Sequence, residues 1–414
     1  MPSSNTKPGN SSQKRKNIDS VDQPSLPSSA SKAPNPAPYA KHLQLTPSLH
    51  RPHCLARERL RIWTPVSPRN TLDANGTPTN LSQSDLTRIA DVLTHAWAES
   101  TREAYGTGLL VFHVFCDAKS VPDTQRAPAS PILLQSFLST IAGSYSGSTV
   151  SNYFHGVRAW HIIHGVSWLI DKLQMDALLK AASTLTPASS KKKQRLPWTI
   201  EFILAILAQL NPTDPLHVAV EGCLLTVFFT AARLGEFTIP TLKSFNASRH
   251  VKPSDIFTDT DRNGLKLTGF HLPVTKSGGP EDVSFSAQTG RIDPESALRR
   301  HLTINNPPTN GPLFAYVVNG SHRGLTKRKF LEVTTKAAKA AGLDPLQGHG
   351  IRIGATLEYL LRGIPFDVMK VKGCWASDAF LLYLRKHAQI LAPYMQAVPV
   401  VHEAFVRYSM PPVR

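Results

Sequence analysis

The sequence predicts a mainly α fold with a small antiparallel β-sheet, arranged in two lobes. Three observations lead there. From residue 82 onward, apolar residues recur at helical spacing through most of the chain. One stretch, GLKLTGFHLPVTKSGGPEDVSFS, reads instead as strands separated by a Ser-Gly-Gly turn. Between two helical tracts, TPASSKKKQRL (186–196) breaks the periodicity with proline, serines and three consecutive lysines. That is the composition of an interdomain linker.

Residues 1–81 are rich in Ser, Pro, Asn and Lys, and hold twelve of the chain's 33 prolines. Such a segment buries too little apolar surface to offset its ordering entropy, which predicts a disordered basic tail. Within it, Lys14, Arg15 and Lys16 form a short basic cluster, read either as a nuclear address or as a solvated charge run.

Residues 82–185 predict a compact bundle of four short helices. LSQSDLTRIADVLTHAWA opens on serine and aspartate capping candidates and sets Leu86, Ile89, Ala90 and Leu93 on one face. STREAYGTGLLVFHVFCDAK offers Ser100 as N-cap, with Glu103 at capping-box spacing. ILLQSFLSTIAG follows, then SGSTVSNYFHGVRAWHIIHG, a helix opening near Ser148. His155, His161 and His164 in that last segment have no cysteine or carboxylate companions, so they read as helix surface rather than as metal ligands.

Residues 197–414 form the second lobe. LPWTIEFILAILAQL is a helix capped near Thr199, and LHVAVEGCLLTVFFTAARLGEFT is a buried apolar helix ending in polar residues. The strands come next, and helices return from PESALRRHL to the end.

Composition narrows the function. A formal net charge of +17 and a pI near 9.8 favour a polyanionic partner, since each neutralised phosphate releases condensed counterions. Cys54, Cys116, Cys223 and Cys374 lie far apart, which argues against a zinc site or a disulfide framework and fits a reducing compartment. No apolar run reaches the roughly 18 residues of a membrane span, and no secretory apolar core opens the chain. A soluble intracellular protein is expected. No GxxxxGK[ST] loop, DxD-type cluster or HExxH occurs, so no nucleotide or metal cofactor is expected.

The residues that carry chemistry lie in the second lobe. Arg233 stands in FFTAARLGEFT, with Glu236 three residues on; HGIRIGATL supplies His349 and Arg352; KGCWASDAFLLYLR supplies Trp375 and Tyr383; and Lys276 precedes the Ser-Gly-Gly turn. In-line attack on a phosphodiester builds negative charge on two non-bridging oxygens. Two guanidiniums suit that charge, because each planar fork offers paired donors and stays protonated. Placed as oxyanion donors they are worth about 3 kcal/mol each. Arg233 has apolar neighbours on both sides, so its charge needs a partner, and Glu236 can hold it. His349 suits proton transfer. Trp375 can donate its indole N–H or simply pack the pocket.

Taken in this order, Arg, Lys, His-x-x-Arg, Trp and Tyr resemble the tyrosine recombinases, the phage-integrase family. The resemblance covers roughly residues 82–400. It implies a helical core-binding domain over 82–185 and a tyrosine recombinase catalytic domain over 197–414. Tyr383 would be the nucleophile, leaving a 3′-phosphotyrosyl bond and a free 5′ hydroxyl. Lys276 would protonate that departing oxygen, with Lys252 and Lys266 as nearby alternatives. WxSDAFxxY resembles most the version in fungal and animal mobile elements, Crypton-like members of the family, which implies a nuclear protein. Eight residues separate Trp375 from Tyr383 (383 − 375), one fewer than in the common bacterial and phage members, and Tyr394 and Tyr408 are the fallbacks.

The partners implied are double-stranded DNA, clamped between the lobes, and further copies of the chain in a tetramer on DNA. The segment from Met395 is the candidate for exchange between protomers. Lys191, Lys192, Lys193 and Arg195 would lie along phosphates. Two other readings remain: a non-catalytic DNA-binding protein derived from a mobile element, and a type IB topoisomerase.

Overall fold

A computed structural model gives the fold. The structure describes residues 38–375 except 68, 70, 73, 74, 192–194, 276 and 277, together with Ala388. The chain divides into two compact units, Met1–Lys192 and Lys193–Arg414.

The first unit is helical. Its elements are α1 (Arg59–Ile62), α2 (Gln83–Thr94), α3 (Glu99–Ala118), α4 (Pro131–Ile141), α5 (Gly147–His164) and α6 (Lys172–Thr184). Ser82 caps α2 reciprocally with Asp85, while Ser130 and Ser146 cap α4 and α5. The α3 cap expected at Ser100 does not form. That helix begins earlier, at Glu99, with Ala98 at the N-cap. Helices α3 and α5 form the centre, burying Leu109, Phe112, Val150, Val157 and Trp160. Two glycines let them close. A Cβ at Gly108 would stand 2.4 Å from the Tyr153 Cα, and one at Gly156 would stand 2.4 Å from the Tyr105 carbonyl oxygen.

Two expectations need correction here. The segment expected as tail over 1–81 is structured from about residue 38. Leu60 and Trp63 are buried in the helical core, and the Trp160 indole donates to the Trp63 carbonyl at 2.7 Å. Arg51, also buried, joins Asp117, Asp123 and Arg126 in an ion network that pins the segment to the end of α3. A few large anchors outweigh the proline-rich composition between them. The histidine string is not surface either. His161 is fully buried: its Nε2 accepts the Ala129 N–H at 3.0 Å, so Nδ1 carries the proton and donates to the Val157 carbonyl. His164 donates from Nε2 to the Leu60 carbonyl. Among the described residues no cluster of metal-ligating side chains exists.

The second unit is helical with two small sheets rather than the single one expected. Its elements are α7 (Ile200–Ala208), α8 (Pro215–Phe229), β1 (Ile256–Thr260), β2 (Lys266–Leu272), β3 (Glu281–Phe285), α9 (Pro294–Asn305), β4 (Ala315–Val318), β5 (Ser321–Gly324), α10 (Lys327–Ala340), α11 (His349–Leu361) and α12 (Phe366–Lys372). Strands β1, β2 and β3 form an antiparallel sheet in that order, pairing Ile256 with Phe270 and Phe270 with Val283. The second sheet is the β4–β5 hairpin, turned through Asn319 and Gly320, both at positive φ.

Helix α8 is buried from Val218 to Phe229 and forms the axis of this unit. Its one charge, Glu221, is paired with Arg291 and Arg300. The end of α8 is tied to α11 by the Tyr359 hydroxyl, which donates to the Phe229 carbonyl at 2.6 Å. Trp198, fully buried, straps the start of α11. Its backbone N–H donates to the Gly350 carbonyl at 3.0 Å, and its indole donates to the Gln347 carbonyl at 3.1 Å. These two ties place the residues of interest.

Candidate phosphodiester site

Arg233 sits where α8 has ended. Ala231, at φ +54, turns the chain, and Arg233 leads into a short 3-10 turn, Leu234–Glu236. Glu236 grips Arg233 twice: one carboxylate oxygen accepts its backbone N–H at 2.7 Å, the other its guanidinium at 2.8 Å. The pairing expected from sequence is thus present. It leaves the Arg233 side chain 29% exposed over a nearly buried carboxylate.

His349 and Arg352 occupy the first turn of α11. Arg352 is only 3% exposed. Its guanidinium donates to the Gly373 carbonyl and lies 4.1 Å from the centre of the Trp375 ring. The packing role of Trp375 is therefore visible, as a cation–π platform that orients the fork.

These groups converge on one imidazole. Burial lowers the His349 pKa most, and four cations, in order Arg195, Arg352, Arg233 and Lys327, push it further, to about 4. Such a histidine is neutral near pH 7, because burial first and the surrounding positive charge second disfavour its charged form. Two arginines from distant parts of the chain thus share a field with His349, as an anion-binding centre requires. Arg195, expected as a linker contact to phosphates, belongs to this cluster.

A pocket opens beside Arg233, lined also by Gly235, Glu236, Arg249, His250 and Val274. On its strand side, Thr275 and Gly279 close a turn: the Thr275 N–H donates to the Gly279 carbonyl, and the Gly278 N–H donates to that of Thr275. Lys276 lies outside the described residues; Val274 is on the pocket wall. Of its alternatives, Lys252 is held by Asp255 and the Ala247 carbonyl, and Lys266 is exposed at the start of β2.

Tyr383, its fallbacks Tyr394 and Tyr408, and the segment from Met395 also lie outside the described residues, as do Lys192, Lys193 and the Lys14–Lys16 cluster. Lys191 is exposed. Beneath the site, burial lowers the Lys372 pKa to about 8. Its ammonium donates to the Ser284 carbonyl at 3.0 Å and lies 4.8 Å from the centre of the Tyr359 ring. The Cys374 thiol is pushed up to about 11, by burial first and then by Glu281.

Sequence reasoning missed Arg249, His250, Lys327 and Trp198. The first two sit in a loop without periodicity. Lys327 opens α10, and its nearness to His349 is purely tertiary.

No family model and no curated protein matches the chain. The structure is similar to those of site-specific recombinases and integrases. Against the XerH site-specific recombinase bound to a palindromic difH substrate, identity is 18% over 75% of this chain and 83% of that chain, with a TM-score of 0.49. Against a lambda integrase dimer bound to a COC′ core site the values are 16%, 73%, 94% and 0.45. Against an FLP recombinase–Holliday junction complex they are 14%, 79%, 82% and 0.32. Each of these TM-scores lies below 0.5.

Proposed function

We propose that the chain is a tyrosine recombinase of the kind carried by mobile elements, cutting and rejoining DNA through a covalent 3′-phosphotyrosine. One observation carries this reading: Arg233, Arg352 and His349 share a single cationic centre whose imidazole is neutral near pH 7.

The chemistry follows from that arrangement. The two guanidiniums hold the non-bridging oxygens of one phosphodiester and gain most as charge builds there in the transition state. Tyr383 attacks the phosphorus in line, and the bond to the 5′ oxygen breaks. The phosphate ester energy is kept in the new tyrosyl linkage. Neutral His349 can take a proton from the attacking phenol or the returning hydroxyl, and a bound phosphate makes it a better base by adding negative charge beside it. Lys276 is the proposed proton donor to the departing oxygen, and the Trp375 indole is a further donor to the phosphate. Duplex DNA is the substrate, with strand exchange in a tetramer. Action in the nucleus belongs to the same proposal.

The test is covalent capture. Duplexes from a randomised pool, nicked so that the released fragment diffuses away, are incubated with the full chain in EDTA and then denatured. A protein–DNA adduct is expected, because guanidiniums supply the neutralising charge. Tight duplex binding without any adduct would instead support a non-catalytic DNA-binding protein.

A further inference from the structure

We propose that Arg249 and His250 form a second phosphate subsite that grips a non-scissile phosphodiester next to the one held by Arg233 and Arg352. This rests on the strand-cleavage reading for the identity of the ligand, but not for the subsite's charge or geometry.

The loop that follows the Arg233 turn carries both residues back to the same pocket. Asn246 organises it. Its side-chain oxygen accepts from the Ser248 N–H at 2.8 Å and the Ser248 hydroxyl at 2.7 Å, and its carbonyl accepts the backbone N–H groups of Arg249 and His250, both at 3.0 Å. The Asn246 N–H then donates to His250 Nδ1 at 3.0 Å. The Asn246 carbonyl oxygen also lies 3.1 Å from that nitrogen, so Nδ1 is engaged by the loop's own backbone and Nε2 is the ring nitrogen left for a ligand. Phe245 lies against the ring at 5.8 Å between centroids. His250 is therefore a held, half-buried ring on the pocket wall.

Charge points the same way. The pocket lining holds two guanidiniums and one carboxylate, and that carboxylate is bonded twice to Arg233. Arg249 is exposed, and no ion pair engages its guanidinium among the described residues. The pocket thus presents one planar fork without an ion-pair partner among the described residues, beside an imidazole, a set suited to a phosphate's paired oxygens. The forks of Arg233 and Arg352 take the oxygens of the scissile phosphate, so the phosphate that Arg249 meets is its neighbour. A residue in this place positions the strand and takes no part in bond breaking.

Two measurements test this. On plain duplex, Arg249→Ala should flatten the plot of log affinity against log salt by about 0.9, one phosphate's worth, and Arg249→Lys should restore most of it. An unchanged slope overturns the proposal. With a nicked duplex that forms adduct, single neutral methylphosphonates are placed at each non-scissile position flanking the nick. One position should cost the wild type about tenfold at subsaturating DNA and cost Arg249→Ala nothing further. Equal losses in both proteins at every position, or a lower rate for Arg249→Ala at saturating DNA, would contradict it. Failure of the wild type to form adduct on any duplex would sink the cleavage reading alone, because the salt slope still decides the subsite. Arg249 is exposed, so its variants should keep the wild-type melting temperature. His250→Gln, which alters the loop's own bonding, serves only as a supporting variant.

Discussion

Arg233 and Arg352 are held in different ways, and that difference separates their expected phenotypes. Arg233 is partly exposed and braced by Glu236, whereas Arg352 is buried between the Gly373 carbonyl and the Trp375 ring. Arg233→Ala should lower cleavage by about two orders of magnitude while DNA affinity changes little, as expected of a transition-state donor. Parallel losses of binding and rate would make it an ordinary phosphate contact. Arg352→Lys should not rescue, because an ammonium cannot match a fork clamped from two sides. For His349, proton NMR should place the midpoint near 4 in the free protein and higher once a phosphodiester binds. A midpoint at or above 6.5 in the free protein would mean that the ring is not buried among those cations as the structure has it. Arg233, Glu236, His349 and Arg352 were legible in the sequence because each sits in a short motif whose spacing means something locally. Arg249, His250, Arg195 and Lys327 gain meaning only by folding, so no spacing announces their place around the site.

Elements, more than single residues, set the precision of the centre. The first turn of α11 carries both His349 and Arg352, and Trp198 fixes that turn with its backbone N–H and its indole. Gly354 makes the approach possible: a Cβ there would stand 1.9 Å from the Trp198 carbonyl oxygen. Gly354→Ala should therefore cost about 3 kcal/mol in denaturant unfolding, in the range of overpacked cores, and should lower cleavage as well. Wild-type stability would show that the strap yields. Most helices were readable because their apolar faces repeat with the helical period, and β2–β3 because the Ser-Gly-Gly turn divides them. The β4–β5 hairpin was missed although Asn319-Gly320 marks it, since its strands have only four residues each. The segment from residue 38 was misread for a different reason. Leu60, Trp63 and Arg51 anchor it at isolated points, and isolated points leave no periodic trace.

At the scale of the molecule, buried histidines couple the stability of both units to pH. Burial holds His161 in the first unit and His301 in the second at a pKa of about 4. Above pH 6.5 neither the folded nor the unfolded chain protonates them. Between about 6.5 and 4 only the unfolded chain does, so stability falls as pH falls across that window. Each histidine contributes a slope approaching 1.4 kcal/mol per pH unit, at roughly that order of magnitude. Below pH 4 their contribution levels off. Denaturant midpoints from pH 7 to 4 should show this decline, and a flat profile would mean the rings reach water. The net charge of +17 adds a second dependence, a steep loss of duplex affinity with salt.

The central claim is that Tyr383 attacks a phosphate held by Arg233 and Arg352, and peptide mapping of the denatured adduct tests it most directly. The DNA should be attached at Tyr383 in the wild type, and Tyr383→Phe should bind the same duplex with unchanged affinity while forming no adduct. Attachment at Tyr394 or Tyr408, or an adduct that persists in Tyr383→Phe, would contradict the assignment.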